Sequence, residues 1–193
     1  MSHSMENRKK IAVLFSGKGS NFAHIVKTLH KKEIDVVLAL TNNPNAQGIE
    51  IAKAAGIPLE VIDSKKYISR EAFDRVVVEC LKKYAPDLTI LAGFMRILTP
   101  VFTDTITSIN LHPSLLPRHK GLHAIEKSYN DSFPIGGVSV HYVSSELDGG
   151  EIVLQKEISK KGLDFESYDT KIRTLEKEAL VEAIKTVLLS DKG

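Results

Sequence analysis

Hydrophobic residues in this chain occur in short unbroken runs, separated by longer stretches with helical periodicity. Each run is four to seven residues long and rich in Val, Ile and Leu, which is typical of strands buried on both faces of a sheet. The predicted strands of the first half are Ile11–Phe15, Asp35–Thr41, Leu59–Ile62 and Leu88–Leu91. The stretches between them place apolar side chains on one helix face. The predicted helices are Phe22–Lys31, Ala46–Ala55 and Ser69–Tyr84, with Ser20 or Asn21 expected to cap the first.

The second half of the chain has a less regular pattern. Thr107–Leu111 is a predicted strand, followed by a loop over His112–Gly121. Val138–Val143 and Ile152–Ile158 alternate apolar and polar residues, which favours antiparallel strands at a sheet edge. A C-terminal helix is predicted over Phe165–Leu189.

Strands that alternate with helices predict an α/β fold with right-handed crossovers. We expect a Rossmann-like, mostly parallel twisted sheet with helices on both faces and an antiparallel C-terminal addition. Residues 1–9 are expected to form a disordered leader and residues 10–190 a single domain, because no linker or internal repeat interrupts the chain.

Composition narrows the possible classes of protein. The 193 residues carry 26 Lys and Arg against 24 Asp and Glu, a net charge of +2 that gives no electrostatic footprint for nucleic acid or an acidic membrane surface. A single cysteine, Cys80, excludes an internal disulfide, and no Cys/His cluster has metal-ligand spacing. Ile11–Phe15 is too short for a signal peptide or a membrane span. We therefore expect a cytoplasmic protein without a bound metal.

A glycine-rich turn over Ser16–Asn21 is the first candidate for chemistry. It lies between a predicted strand and a predicted helix, where free N–H groups at the helix start favour an anion such as phosphate, and Lys18 adds a cation. Its spacing matches neither a P-loop nor a full dinucleotide-binding motif, because Phe22 occupies the third glycine position. An ordinary glycine turn is the alternative interpretation.

Two further candidates lie in the second half. Asn110 and His112 are two residues apart at a strand end, so both side chains should share one face, where an amide and an imidazole can stabilise an oxyanion. Asp148 precedes two glycines in a loop. Taken singly, the histidine could be structural and the Asp-Gly pair a β-turn. The other histidines, including His119 and His141, are interpreted as surface or packing residues, and Cys80 as a core residue.

Four segments together resemble the phosphoribosylglycinamide formyltransferase family, folate-dependent enzymes of purine biosynthesis. They are Gly17–Asn21, Ala92–Leu98, Asn110–Pro117 and Leu147–Gly150. The resemblance extends from about Lys10 to the C-terminal helix. It implies a single formyltransferase domain that moves the formyl group of 10-formyltetrahydrofolate, a co-substrate, to the amine of glycinamide ribonucleotide. Asn110 and protonated His112 would stabilise the tetrahedral intermediate, with Asp148 supporting the charge of His112.

The resemblance also implies the binding residues. Those on the phosphate and ribose side of the ribonucleotide are Gly19, Ser20, Asn21, Arg173 and Glu176. Those on the folate side are Arg70, Met95, Arg96, Ile97, Leu98, Ser144, Ser145, Glu146 and Leu147. Without the resemblance, the residues from Met95 to Leu98 would be interpreted as a helix start and Arg70 as a solvated helix residue.

Other functions remain open at this point. A formyl-folate hydrolase or a formyltransferase acting on an amino sugar or a tRNA shares the Asn-x-His and Asp pattern, and a non-catalytic nucleotide-binding module would need only the glycine loop. Formyltransferases for tRNA carry an additional basic domain, which a chain of net charge +2 does not indicate. The expected partners are small molecules, without nucleic acid or membrane, for a monomer or homodimer.

Overall fold

The computed structural model describes residues 7–189, which divide into two compact units with the boundary between Ile109 and Asn110. Residues 1–6 of the predicted leader and the last residue of the predicted domain lie outside the described range. The first strand begins at Lys9. Within residues 7–189, no helix combines the length and the apolar character that crossing a membrane requires.

The first unit contains a parallel sheet in the strand order β3-β2-β1-β4. Its strands are β1 (Lys9–Phe15), β2 (Ile34–Thr41), β3 (Leu59–Val61) and β4 (Leu88–Leu91). The four predicted strands of the first half are therefore confirmed, with ends that differ by at most two residues. Its helices are α1 (Ser20–Leu29), α2 (Gly48–Ala55), α3 (Arg70–Tyr84) and the short α4 (Pro100–Thr103).

Burial of β1 explains why its hydrophobic run is continuous. All residues of Ile11–Phe15 are 0% exposed, because β1 lies between β2 and β4 and both of its faces are covered. Phe15 at its end stacks on Phe22 of α1, with ring centroids 5.1 Å apart. This contact packs α1 directly beyond the carboxyl end of β1, where the glycine loop lies.

The first helix begins differently from the prediction. Its cap is Gly19, with φ of 76°, and neither Ser20 nor Asn21 makes a side-chain capping bond, so the predicted cap is wrong. A left-handed residue reverses the chain before α1, and glycine reaches that conformation without a steric cost. The predicted start of α3 is confirmed, because the Ser69 hydroxyl accepts a hydrogen bond from the backbone N–H of Ala72 at 3.1 Å.

The second unit begins at Asn110, within strand β5 (Ser108–His112). It contains α5 (Ala124–Asn130), β6 (Ile135–Tyr142), β7 (Ile152–Ser159) and α6 (Phe165–Leu189), and its strand order is β5-β6-β7. Strands β6 and β7 are antiparallel, as predicted, and α6 has the predicted bounds. Helix α5 was not predicted because its seven residues are mostly polar.

Helix α6 is anchored by a buried tyrosine. Tyr168 is 0% exposed, and its hydroxyl forms a 2.8 Å hydrogen bond with the hydroxyl of Ser128 on α5. Contacts of α6 with β6 and β7 complete the packing of this unit. This arrangement fixes α5, and with it the loop that connects β5 to α5.

Candidate active site

A buried imidazole faces a buried carboxylate in the second unit. His112, the last residue of β5, is 6% exposed, and its Nδ1 lies 3.6 Å from Oδ1 of Asp148, whose side chain is also 6% exposed. The predicted pairing of these two residues is thus present in the geometry. This separation is too long for a direct hydrogen bond. It is still short enough for the charge on one group to influence the other.

The loop after β5 contacts both members of this pair through its backbone. Nε2 of His112 donates to the carbonyl oxygen of His119 at 2.8 Å, and the backbone N–H of Gly121 donates to Oδ2 of Asp148 at 2.8 Å. Because a carbonyl can only accept, Nε2 of His112 carries a proton. Nδ1 is then the nitrogen that can gain or release a proton beside Asp148.

A second imidazole faces the same carboxylate. His141 of β6 is 2% exposed, its Nδ1 donates to the carbonyl of Tyr142 at 2.9 Å, and its Nε2 lies 3.8 Å from Oδ1 of Asp148. Burial is the main influence and lowers the pKa of His141, although the Tyr142 carbonyl and Asp148 act in the opposite direction. The sequence interpretation of His141 as a packing residue missed this position, although strand alternation places it on the same face of β6 as buried Ser139.

Asn110 lies two residues before His112 on β5, so the two side chains belong to the same face of the strand. Asn110 is half-buried, and its amide makes no hydrogen bond within residues 7–189. An uncommitted amide donor beside an imidazole suits an oxygen that becomes negative during a reaction. In this same part of the chain, no group of His, Cys, Asp and Glu side chains has an arrangement that could hold a metal ion.

The segment before Asp148 forms an exposed turn. The backbone N–H of Glu146 donates to the Ser144 hydroxyl at 3.2 Å, and Glu146 faces Lys120 at 3.7 Å. Leu147 is 67% exposed, and Asp148 has φ of 50°, the left-handed region. This turn aims the Asp148 side chain inward while it leaves its own apolar residue at the surface.

The predicted phosphate and ribose residues of α6 lie one helix turn apart. Arg173 is exposed and donates to Asp169 at 3.1 Å, and it lines a cleft of about 220 Å³ together with Pro113 and His123. Glu176 is partly buried, and burial raises its pKa to about 7, against the opposing effect of Arg173 and Lys177. Arg173 therefore lines the same cleft as Pro113, the residue that follows His112.

The glycine loop of the first unit is held by a backbone hydrogen bond and by its close approach to the start of α2. The carbonyl of Gly17 accepts a hydrogen bond from the backbone N–H of Gly48 at 3.1 Å. A Cβ at position 19 would lie 2.9 Å from the Cα of Gly48. Only glycine therefore fits at position 19, where both the φ and the space require it. The first N–H groups of α1 accordingly remain available for an anion.

Ser16, directly before the glycine loop, connects this loop to the predicted folate segment. Its hydroxyl accepts a hydrogen bond from the backbone N–H of Met95 at 2.7 Å and donates to Asn42 at 2.5 Å. The far end of the segment is held by Asp74, which is 1% exposed and accepts two 2.7 Å hydrogen bonds from Thr99. In the sequence, Ser16 was noted only as the first residue of the glycine-rich turn and Asp74 was not singled out, because each acts through the backbone it holds.

The predicted folate segment is irregular rather than helical. Helix α4 begins only at Pro100, and Met95 and Ile97 are 71% and 63% exposed. The Arg96 guanidinium lies over the ring of Phe73, 4.8 Å from its centroid. Arg70 is exposed as the first residue of α3. Two exposed apolar side chains on a segment fixed at both ends offer a surface for a flat ring.

Known proteins are similar to this chain in sequence and in fold. The family model described as formyl transferase matches residues 9–184. The chain is 40% identical to the phosphoribosylglycinamide formyltransferase of Escherichia coli over 77% of this chain and 72% of that protein. It is 35% identical to the one of Bacillus subtilis over 96% of this chain and 98% of that protein.

A solved structure gives the same result for the fold. The crystal structure of phosphoribosylglycinamide formyltransferase from Campylobacter jejuni matches with a TM-score of 0.90 and 50% identity, over 93% of this chain and 97% of that one. The predicted α/β class, with a mostly parallel sheet and an antiparallel C-terminal addition, is therefore confirmed. The chain belongs to the formyl transferase family, and the relatives that it matches over nearly their full length are phosphoribosylglycinamide formyltransferases.

Proposed function

We propose that this enzyme transfers the formyl group of 10-formyltetrahydrofolate to the amine of glycinamide ribonucleotide in purine biosynthesis. The observation that carries the proposal is the buried His112 imidazole, whose Nδ1 faces Asp148 at 3.6 Å, with the free amide of Asn110 two residues earlier on the same strand face. The names of its relatives support the choice of acceptor.

The reaction joins the acceptor amine to the formyl carbon and breaks the bond from that carbon to N10 of the folate. Attack produces a tetrahedral carbon with a negative oxygen, which Asn110 and the His112 imidazolium stabilise by donating hydrogen bonds. The amine gives up one proton and N10 gains one, so the step balances without an external acid. Asp148 supports the imidazolium and relays the proton, directly or through water.

The remaining predicted residues bind the two substrates. Gly19, Ser20 and Asn21 present the start of α1 to the ribonucleotide phosphate, with Arg173 and Glu176 on the phosphate and ribose side. The folate ring binds along the segment from Met95 to Leu98. This segment is fixed at both ends, so it loses little conformational freedom when a ligand binds.

The folate role extends to two other groups. Arg70 contacts the glutamate tail, and the turn formed by Ser144, Ser145, Glu146 and Leu147 contacts the ring. Both substrates are small molecules available in the cytoplasm, where we place this enzyme as a monomer or homodimer. The proposed chemistry needs no metal, nucleic acid or membrane.

An acceptor panel tests this proposal. Purified protein is given 10-formyltetrahydrofolate together with one of four additions: glycinamide ribonucleotide, an amino sugar nucleotide, an aminoacylated initiator tRNA or buffer alone. Formyl transfer, formate release and nucleotide binding are measured. We expect rapid transfer to glycinamide ribonucleotide only. Faster transfer to another acceptor, formate release without acceptor, or nucleotide binding with no transfer would each replace the proposal with the corresponding alternative.

A further inference from the structure

The carbonyl that accepts the hydrogen bond from Nε2 of His112 belongs to a residue in a strained conformation. His119 has φ of 54°, in the left-handed region, and its carbonyl oxygen lies 2.8 Å from Nε2 of His112. A non-glycine residue keeps this conformation only where other contacts hold it. The His119 side chain supplies such a contact, because its ring is bonded to Asp131.

Three side chains form a connected cluster behind this carbonyl, which we name the loop anchor: His119, Asp131 and Lys160. Nε2 of His119 donates to Oδ2 of Asp131 at 2.7 Å, and Nζ of Lys160 donates to Oδ1 of Asp131 at 2.6 Å. Lys160 is also bonded to the carbonyl of Ser128 at 2.6 Å, at the end of α5. The anchor thus joins the loop to α5 and to the end of β7.

The loop anchor is largely sheltered from solvent. The side chains of His119, Asp131 and Lys160 are 23%, 13% and 10% exposed. Burial alone would raise the pKa of Asp131, but the hydrogen bonds from Lys160 and His119 lower it to about 2. The carboxylate consequently stays ionised throughout the neutral range and holds both donors in fixed directions.

We propose that His119, Asp131 and Lys160 position the catalytic imidazole, by holding the His119 carbonyl so that Nε2 of His112 keeps its proton and Nδ1 stays directed at Asp148. This inference rests on the proposed function of His112. The same loop donates the Gly121 N–H to Asp148, so a loop that loses its anchor loosens both partners. An imidazole without a fixed acceptor populates the other tautomer, in which Nε2 rather than Nδ1, the nitrogen that faces Asp148, has to gain the proton that forms the imidazolium.

Two pairs of variants test the anchor. His119→Gln retains an N–H donor toward Asp131, whereas His119→Leu removes it, and both substitutes bear the same left-handed strain. Asp131→Asn removes the charge in the cluster. Glu182→Gln is the matched control. It removes the charge of another carboxylate that is paired with a lysine, because Glu182 of α6 bonds to Lys156 of β7.

The first readout is the tautomer of His112 in the free protein, from ¹⁵N chemical shifts of its ring nitrogens. We expect wild type, His119→Gln and Glu182→Gln to hold the neutral ring with its proton on Nε2, and His119→Leu and Asp131→Asn to show a mixture. Because this measurement needs no substrate, it tests the anchor independently of formyl transfer. An unchanged tautomer in both His119→Leu and Asp131→Asn would overturn the inference.

The second readout separates kcat from KM. We expect kcat to fall about tenfold in His119→Leu and Asp131→Asn, with both KM values within about twofold and with His119→Gln close to wild type. A wild-type protein that transfers no formyl group would refute the proposed function and leave the NMR result to decide the anchor. If Asp131→Asn does not fold, the His119 pair decides: equal kcat values in His119→Gln and His119→Leu contradict the anchor.

Discussion

The glycine loop of the first unit directly follows β1, and the His112–Asp148 pair of the second unit is built on the last residue of β5, but the two present different atoms. After β1, backbone N–H groups are left available and a left-handed glycine sets their direction. At the end of β5, a titratable side chain is presented, and the backbone of the following loop holds His112 through the His119 carbonyl and Asp148 through the Gly121 N–H. The first arrangement suits binding a fixed charge, whereas the second suits stabilising charge that develops during a reaction.

This difference predicts different kinetic consequences. Removing a contact that is equal in the ground state and the transition state raises KM, and removing one that forms only in the transition state lowers kcat. Variants of the first unit should therefore change mainly KM. Variants of Asn110, His112 and Asp148 should change mainly kcat.

The largest effect, shared with Asp148→Ala, is expected for Asn110→Ala. Loss of one donor to the oxyanion should reduce kcat by about 10²-fold or more, while the KM for each substrate stays within a few-fold. Steady-state kinetics with both substrates varied measure this split. Asn45→Ala, at an exposed asparagine after β2, is the control. A raised KM with unchanged kcat would contradict this role and would assign Asn110 to substrate binding.

Glu176 should make stability depend on pH, because burial raises its pKa to about 7 in the folded protein. A raised carboxyl pKa means that its stabilising contribution is complete below pH 4.5 and is lost as pH rises through about 7. Relative to Glu176→Gln, the free energy of unfolding of wild type should fall by about 2 kcal/mol between pH 5 and pH 8. Denaturant unfolding measures it, and parallel pH profiles would contradict the assignment.

Ser16→Ala should weaken folate binding more than catalysis. It removes the acceptor for the Met95 N–H, so the segment from Met95 to Leu98 loses one of its two fixed ends. One lost hydrogen bond corresponds to an increase of about fivefold to tenfold in the KM for 10-formyltetrahydrofolate, with little change in kcat. Ser132→Ala changes an exposed serine and serves as the control. An effect confined to kcat would contradict the expectation that variants of the first unit change mainly KM.

Lys18→Ala should produce the smallest change. The side chain is exposed in the glycine loop, so its attraction for a phosphate is screened by solvent. We expect the KM for glycinamide ribonucleotide to rise about threefold and the folate KM to stay constant. Lys66→Ala, at another exposed lysine, controls for net charge. A larger effect on the folate KM would assign Lys18 to the other substrate.

The fold could be predicted where local pattern and packing agree. Ile11–Phe15 is apolar throughout because it is covered on both faces, and the pattern shows this directly. Helices α4 and α5 were missed because they are short and are held by contacts distant in sequence, such as Asp74 with Thr99 and Ser128 with Tyr168. The cap of α1 was misassigned because two polar residues follow the glycine that actually turns the chain.

The candidate site was predictable only in part, for a related reason. His112 and Asp148 belong to recognisable motifs, and their closeness follows the prediction. His119 and His141 carry no such local signal: each becomes important because the fold brings it to a partner, a carbonyl bonded to His112 in one case and Asp148 in the other. Spacing along the chain does not encode these contacts, so they required the structure.

The most direct test of the central claim is the turnover of Asp148→Ala with both substrates saturating. Asp148 is the carboxylate that faces His112 and receives the Gly121 N–H, so its removal should lower kcat by about 10²-fold or more while the protein remains folded. Asp104→Ala, at an exposed aspartate, should retain wild-type turnover. A kcat of Asp148→Ala within a few-fold of wild type would contradict the assignment of formyl transfer to this pair.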